Sequence, residues 1–110
     1  MNLSTKPQAR VLSHAYRGSR LRVGDVLYKP MKITSFELIP SQLHPGKQAL
    51  AMQVTVDGEE HLLITESYTL IKTLQGTEDR LPHHTKIVRK RDGYYYFTAL
   101  LPQEITTLNF

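Results

Sequence analysis

Residues 48–65, QALAMQVTVDGEEHLLIT, constrain the architecture of this chain more than any other segment. Large apolar side chains occupy every second position from Leu50 to Val56, and this period of two is typical of a half-buried β-strand. The pair Asp57–Gly58 is favoured in the two-residue turns that join antiparallel strands. Residues Glu59 to Thr65 return as a second strand. The segment therefore predicts a tight β-hairpin.

A second hairpin is predicted over residues 85–98, TKIVRKRDGYYYFT, with Asp92–Gly93 at its turn. The residues before the turn are largely basic, and those after it are largely aromatic. The basic residues are Lys86, Arg89, Lys90 and Arg91, and the aromatic residues are Tyr94, Tyr95, Tyr96 and Phe97. Positive charge and flat rings are therefore expected side by side on one hairpin.

Three further elements are predicted outside these hairpins. A first strand is expected over Met31 to Ile39, where β-branched and apolar residues dominate. Ser67 is a good helix N-cap, and residues 68–75 place apolar side chains on one helical face. Gly76 suits the left-handed position after the last turn of that helix. Ile105 to Thr107 are expected to add an edge strand.

The order of the main elements is three strands, a helix and two strands. Two hairpins without a strand–helix–strand repeat favour an all-β fold over a parallel sheet. The same order occurs in the OB-fold, a five-stranded Greek-key barrel. We therefore expect an all-β, five-stranded OB-like Greek-key barrel with one short helix between its third and fourth strands.

Length and composition fit one small cytoplasmic domain. The chain has 110 residues, 40% of them apolar, and no cysteine, which excludes disulfides and cysteine-ligated zinc. No apolar run approaches the ~20 residues of a membrane span, and the N-terminal residues lack the apolar segment of a secretory signal. We expect a basic arm over residues 1–23, an OB-like domain over residues 24–99 and a tail over residues 100–110.

Charge is divided unevenly along the chain. Its 14 Lys and Arg exceed its 10 Asp and Glu, which gives a net charge of +4. Residues 24–85 nevertheless hold five basic and eight acidic residues, whereas residues 1–23 hold five basic residues and no acidic one. The basic excess therefore comes from the arm and the second hairpin, and this arrangement favours a polyanionic partner.

The aromatic residues of the second hairpin form two pairs, because side chains of a strand point alternately to its two faces. We expect Tyr95 and Phe97 in the core, since Phe is more often buried, and Tyr94 and Tyr96 outside. Exposed tyrosines can stack on nucleic-acid bases at roughly 1–3 kcal/mol for each base. In the alternative interpretation, all four rings pack on the sheet or cap it.

The basic side chains of the second hairpin and the arm can each neutralise a phosphate and release counterions. In the alternative interpretation, they are solvated charges that protect an edge strand from aggregation. The candidate nucleic-acid-binding residues are Lys86, Arg89, Lys90, Arg91, Tyr94, Tyr96, Arg17, Arg20 and Arg22. Two further aromatic residues, Phe36 and Tyr68, are expected in the core.

Patterns that indicate catalysis or metal binding are weak. The five histidines are scattered except for His83–His84, whose side chains would point apart in a strand. The sequence has no glycine-rich phosphate loop and no G-x-S-x-G motif. We expect no enzyme activity, no cofactor, no metal site and no small-molecule substrate.

Residues 81–98, LPHHTKIVRKRDGYYYFT, resemble the C-terminal part of small OB-fold proteins of phages and mobile elements, described as single-stranded-DNA-binding or helix-destabilising-like. In those proteins an Ile–Thr–x–Phe strand with a Pro–Ser turn, here Ile33 to Ser41, precedes a hairpin, a Ser-started helix and a Pro–x–x–Thr strand. The layout matches over residues 24–98, although Pro–His–His at Pro82 replaces the usual Pro–Phe. The resemblance implies an OB fold that binds single-stranded DNA.

The chain is therefore expected to bind single-stranded DNA without catalysis and largely without sequence preference. A basic groove would hold the DNA backbone while tyrosine rings stack bases, in replication or recombination of a phage or mobile element. A homo-oligomer is expected, since assembly adds avidity and covers sheet edges. Two alternatives stay open: a phage structural or regulatory module that binds a protein, and a protein that binds RNA.

Overall fold

The computed structural model describes residues 15–108. Residues 1–14, which make up much of the expected basic arm, and residues 109–110 of the tail lie outside the described residues. The strands are β1 (Arg20–Leu21), β2 (Met31–Pro40), β3 (Gln48–Val56), β4 (Glu59–Thr65), β5 (His83–Arg89) and β6 (Tyr95–Thr98). The helices are α1 (Val23–Val26), α2 (Tyr68–Leu74) and α3 (Pro102–Leu108), with a short 3₁₀ helix at Glu78–Arg80. None of the helices described is long and apolar enough to cross a membrane.

The six described strands form one curled, barrel-like sheet in the order β1-β4-β3-β2-β5-β6. The mostly β architecture that the hairpin pattern predicts is therefore confirmed. The strand count differs from the expected five, because Arg20–Leu21 pairs in parallel with Leu62 and Leu63 at the edge of β4. The other pairs are antiparallel. A two-residue strand is too short to show a period of two, so the sequence pattern could not indicate it.

The hairpin over residues 48–65 is confirmed. β3 pairs with β4 from Leu50 opposite Thr65 to Val56 opposite Glu59, which leaves Asp57 and Gly58 as the turn. The φ angles of these two residues are +53° and +80°, so both occupy the left-handed region that a type I′ turn requires. The turn geometry therefore sets the register of the two strands.

The strand β3 is buried on both faces, which corrects the expectation of a half-buried strand. Leu50 is fully buried on one face, and Ala49, Ala51 and Gln53 are at most 5% exposed on the other. Tyr16, from the N-terminal segment, packs against the two alanines. Small and polar residues suggest a solvent-facing side, but here a distant segment of the chain covers it.

The main core lies between the inner face of the sheet and the helices α1 and α2. Phe36 is 7% exposed, so its expected place in the core is confirmed. The largest fully buried side chains are Met31, Ile33, Leu50, Met52, Leu63, Leu70, Ile87, Val26 and Val54. Fully burying an aliphatic side chain of this kind contributes about 1.5–3 kcal/mol, so these residues supply much of the stabilisation of the curled sheet.

The helix α2 begins where the sequence places its cap. The Ser67 hydroxyl accepts a hydrogen bond from the Leu70 N–H at 3.4 Å, and Gly76 follows the helix with a φ of +81°. The Thr69 hydroxyl donates a hydrogen bond to the Tyr95 carbonyl oxygen. This bond ties α2 to β6 and helps to position the second hairpin.

The C-terminal segment is helical, which corrects the expectation of an edge strand at Ile105 to Thr107. The helix α3 begins with Pro102, whose fixed φ suits the first helical position. The Glu104 carboxylate accepts a hydrogen bond from the Leu101 N–H at 2.8 Å, which satisfies a backbone donor at the helix start. These helix-start signals outweigh the β propensity of the residues that follow.

Candidate functional site

The hairpin tip, residues 89–96, joins β5 to β6 and is held by short-range hydrogen bonds. The Lys90 N–H donates to the Tyr94 carbonyl oxygen at 3.1 Å. The Asp92 carboxylate accepts from the Tyr96 hydroxyl at 2.6 Å and from the Tyr94 N–H at 2.9 Å. These two hydrogen bonds hold the pKa of Asp92 below its ordinary value, and the bond from the Tyr96 hydroxyl has the larger effect. The carboxylate therefore stays ionised and keeps the tip in shape.

The pairing register divides the residues of the second hairpin between two faces. Arg89 lies opposite Tyr95 and Ile87 opposite Phe97, so these residues share the inner face of the sheet. Tyr96 belongs to the outer face, because neighbours in a strand alternate. Tyr95 and Phe97 pack against the main core but are only half-buried, as Tyr96 is, so their expected place in the core is met in part. The basic and aromatic residues thus form two surfaces instead of one.

A cation lies near an aromatic ring on each face of the hairpin tip. The Arg89 guanidinium carbon is 6.0 Å from the centre of the Tyr95 ring, and Lys90 Nζ is 4.5 Å from the centre of the Tyr96 ring. Contacts of this kind contribute about 0.5–1 kcal/mol at exposed sites. Tyr94 is 60% exposed, and Arg91 is also exposed. The tip therefore presents charge and ring surface to solvent together.

Lys86, which the sequence grouped with the basic residues of the tip, lies elsewhere and has a partner. Its Nζ is 3.0 Å from Glu104 Oε2 of α3, and both side chains are about one-fifth exposed (21% and 19%). The Leu101 N–H and then Lys86 lower the pKa of Glu104. Lys86 therefore fastens α3 to the outer face of β5 and is not a free cation in this structure.

Three arginines of the arm lie within the described residues, Arg17, Arg20 and Arg22, and they occupy two environments. The Arg17 side chain forms an ion pair with Glu60, with 2.5 Å from Nε to Oε1 and 3.0 Å from Nη2 to Oε2. Arg20 and Arg22 are exposed; Arg20 belongs to β1, which pairs with the middle of β4, and Arg22 follows it at the start of α1. Arg17 thus anchors the arm, while Arg20 and Arg22 present their charges to solvent.

Arg20 and Arg22 line an open cleft of about 820 Å³, which we call the seam cleft. The strands β1 and β6 are the two ends of the described sheet, and residues of both, including Tyr95, line this cleft. It therefore lies where the curled sheet brings its two ends towards each other. The full lining is Arg20, Arg22, Val23, Gly24, Leu43, His44, Ile64, Thr65, Glu66 and Tyr95.

The carboxylate that lines the seam cleft, Glu66, is held by two neighbours. The Ser41 hydroxyl donates to it at 2.5 Å, and His44 Nδ1 lies 2.7 Å from its other oxygen. Both contacts lower the pKa of Glu66, and the hydrogen bond from Ser41 has the larger effect. Both oxygens of the Glu66 carboxylate therefore have partners. The two positive charges of Arg20 and Arg22 exceed the one negative charge of Glu66, so the lining of the seam cleft is positive on balance.

A second depression, which we call the Tyr68 groove, also has Glu66 in its wall. No motif in the sequence indicates it. It has a volume of about 420 Å³ and is lined by Gly46, Lys47, Gln48, Glu66, Tyr68, Ile71, Lys72 and Gln75. Tyr68 is 71% exposed, so the expectation that it lies in the core is wrong. At 3.6 residues per turn, Tyr68 falls outside the stripe formed by Leu70, Ile71 and Leu74, so the helical pattern did contain this signal.

Two further histidines each contact a hydroxyl group. His83 Nε2 is 3.1 Å from the Thr77 hydroxyl, and His61 Nδ1 is 3.1 Å from the Ser19 hydroxyl. Within residues 15–108, no group of three or more His, Cys, Asp or Glu side chains is arranged to hold a metal ion. At the hairpin tip and the seam cleft, the described surface therefore offers a ligand mainly cationic side chains and aromatic rings.

The chain matches a known family model. A family model described as a domain of unknown function, DUF8468, matches residues 17–98, which is well over half of the chain. The matched region starts at the arginine that anchors the arm and ends with β6. No curated protein and no solved structure matches the chain.

Proposed function

We propose that this chain, which belongs to the DUF8468 family, binds single-stranded DNA without catalysis and largely without sequence preference. The observation that carries the proposal is the continuity of the hairpin tip with the seam cleft. Tyr95 belongs to both: Arg89 lies near its ring, and Arg20 lines the same cleft. Cations can hold the phosphates of an extended strand while nearby rings stack on its bases.

The exposure of the rings favours a single strand over a duplex. Tyr94 is 60% exposed at the tip, and Tyr95 lines the cleft. The bases of a duplex are stacked on one another and cannot lie on these rings, whereas those of a single strand are free to do so. Base–ring stacking depends little on the identity of the base, so the proposed binding has little sequence preference.

The arrangement of the strands supports an OB-like interpretation of the fold. Without β1, the order β4-β3-β2-β5-β6 contains antiparallel hairpins, and α2 lies between β4 and β5 in the chain. In OB-folds the loops after the first and the fourth strands border the oligonucleotide site. The corresponding loops are residues 41–47, of which Leu43 and His44 line the seam cleft, and residues 90–94 of the hairpin tip.

The cellular role and the assembly state belong to the same proposal. A single-stranded-DNA-binding protein of this size would serve replication or recombination of a phage or mobile element in the cytoplasm. A homo-oligomer belongs to the proposal, because assembly of several copies would add avidity for a long strand. Light scattering coupled to size-exclusion chromatography, with and without DNA, tests this part of the proposal.

A competition assay tests the proposed function. A fluorescently labelled single strand of about 30 nucleotides, long enough for more than one site of the usual size, is titrated with the protein, and unlabelled single-stranded DNA, duplex DNA and RNA are added as competitors. The proposal expects single-stranded DNA to compete best. No binding at low salt would contradict the proposal and favour the alternative module that binds a protein; RNA as the best competitor would favour an RNA-binding role.

Aromatic variants show whether the rings take part. Tyr94→Ala together with Tyr96→Ala is expected to lower affinity at least about fivefold, because stacking contributes roughly 1–3 kcal/mol for each base. Tyr94→Phe, which keeps the ring, is the matched control and should bind as the parent does. Equal affinity of the double variant and the parent would remove the tip from the proposed surface.

A further inference from the structure

The Tyr68 groove combines an exposed ring with two lysines. Tyr68 stands at the first position of α2, and its ring is 71% exposed while the apolar face of the helix is buried. Lys72 lies one helical turn later, with Nζ 5.9 Å from the centre of that ring. Lys47 joins them from the loop between β2 and β3, and it is exposed as Lys72 is.

The two lysines of this groove have no close carboxylate partner. Among residues 15–108, no ion pair within 4.0 Å involves Lys47 or Lys72, whereas Arg17, Lys29 and Lys86 each have one. The acid of the groove, Glu66, is hydrogen-bonded by Ser41 and His44, and the charge of Lys47 lowers its pKa further without a contact within 4.0 Å. Two positive charges beside a ring are therefore available to an anionic ligand.

The groove and the seam cleft have a common wall. Glu66 lines both depressions, and the loop between β2 and β3 contributes His44 to the cleft and Lys47 to the groove. A ligand that leaves the cleft past His44 thus enters the groove without crossing the body of the protein. The charge of Glu66 repels phosphates, so the backbone of such a ligand would pass on the lysine side.

We propose that the Tyr68 groove is a second nucleotide subsite, in which a base stacks on Tyr68 and the adjoining phosphates contact Lys47 and Lys72. This inference rests on the proposed function and extends it, since a single DNA strand would run from the hairpin tip through the seam cleft to the groove. The DNA strand would occupy one continuous track. The number of nucleotides in the DNA therefore sets how many of the subsites it can fill.

Strand length provides the test, with two tyrosine variants compared in parallel. Affinities of the parent, Tyr68→Ala and Tyr94→Ala are measured for single strands of about 4 and about 16 nucleotides, the range of site sizes known for one OB module. Tyr68→Ala is expected to lower affinity for the longer strand at least about fivefold and to affect the shorter strand less. Tyr68→Phe should bind the longer strand as tightly as the parent protein does, because it keeps the ring.

Charge variants test the lysines. Lys47→Gln with Lys72→Gln should reduce the salt dependence of binding to the longer strand, because two phosphate contacts are lost. Arg80→Gln is the control for loss of a positive charge: it is exposed and lines neither depression. Circular dichroism and thermal unfolding confirm that each variant is folded.

Photo-cross-linking identifies the contact directly. A longer strand that carries 5-iododeoxyuridine at successive positions is irradiated with the full-length protein, and the modified peptide is located by mass spectrometry. Cross-links at Tyr68 support the subsite. If cross-links form only at the hairpin tip, and Tyr68→Ala binds as the parent while Tyr94→Ala binds less tightly, the second subsite is wrong and the proposed function stands. If the parent binds no strand at all, both are wrong.

Discussion

The side-chain amide of Gln53, in the middle of β3, holds both backbone groups of Arg17. Gln53 Oε1 accepts from the Arg17 N–H at 2.7 Å, and Nε2 donates to the Arg17 carbonyl oxygen at 2.9 Å. The same Nε2 donates to the His61 carbonyl oxygen at 3.0 Å. Gln53 is 5% exposed, so this amide takes the place of a strand partner at Arg17 and, together with the pairing of β1 with β4, helps to position Arg20 and Arg22.

Replacing Gln53 is therefore expected to release the arm. Gln53→Met keeps the volume but leaves polar backbone groups without partners, which should lower the free energy of unfolding by about 1–3 kcal/mol. DNA affinity should fall as well, because Arg20 and Arg22 lose their position at the seam cleft. Chemical denaturation measures the stability, and Gln48→Met, an exposed glutamine on the same strand, is the control. Equal stability of the two variants would show that this amide does not hold the arm.

Gly18 allows the arm to approach β4 closely. A Cβ atom at this position would lie 1.7 Å from the Glu60 carbonyl oxygen, and φ is +86°. Gly46 has the same φ but nothing within 4 Å of its virtual Cβ atom, so it is a matched control. Gly46→Ala should cost about 1 kcal/mol of stability from backbone strain alone. Gly18→Ala should cost more, since backbone atoms must move, and equal losses on denaturation would contradict the docking of the arm.

Lys86 and Arg89 should have opposite roles although both lie on β5. Lys86→Met should lower thermal stability, since Glu104 loses its ion-pair partner, and leave DNA affinity unchanged. Arg89→Met should lower stability by no more than the ~0.5–1 kcal/mol of its contact with the Tyr95 ring, and it should lower affinity by about 1 kcal/mol, or about fivefold, through loss of one phosphate contact. Thermal unfolding and fluorescence anisotropy of the same samples measure both effects. A fall in affinity for Lys86→Met equal to that for Arg89→Met would mean that Lys86 exchanges Glu104 for phosphate.

Glu66 should make stability depend on pH in the acid range. Its pKa in the folded protein is lowered from the ordinary 4.5, chiefly by the Ser41 hydroxyl and then by His44, so the unfolded chain binds a proton more readily. The stabilisation is therefore complete above the ordinary pKa and is lost as the pH falls through the lower, folded value. Glu66→Gln should flatten the decline in unfolding free energy between about pH 5 and pH 3.

The pH profile of Glu66→Gln is compared with that of a control carboxylate. Glu78→Gln removes an exposed acid in the 3₁₀ helix that lines neither depression. Its profile should follow that of the parent. If the two variants give the same profile, the hydrogen bonds of Ser41 and His44 do not stabilise the loop between β2 and β3.

Local patterns predicted the parts of the fold that depend on neighbours in sequence. The turn at Asp57–Gly58 and the cap at Ser67 each follow from the chemistry of a few adjacent residues, and both are present. The helix α3 was missed, because the β-branched residues after Glu104 masked its start signals. Such errors arise where two local signals compete.

The candidate site depends on contacts between distant segments, so only its components could be predicted. The sequence indicated the basic and aromatic hairpin and the alternation of its rings between two faces, but the pairing that places Arg89 beside Tyr95 is seen only in the structure. The arm that lines the seam cleft is held by Gln53, 36 residues away along the chain, and by pairing of β1 with β4. No period or motif encodes that contact, and for the same reason the pairing of Lys86 with Glu104 could not be seen in the sequence.

The salt dependence of DNA binding tests the central claim most directly. Affinity for a labelled single strand is measured by anisotropy over a series of salt concentrations, for the parent and for the double charge reversal Arg89→Glu and Arg91→Glu. The logarithm of the parent's affinity should fall linearly with that of the salt concentration, by about 0.7 for each phosphate contact, and the reversal should lower both the affinity and the slope. Arg80→Glu should keep the parent's slope. A parent that does not bind at low salt, or an unchanged slope in the double variant, would contradict the account.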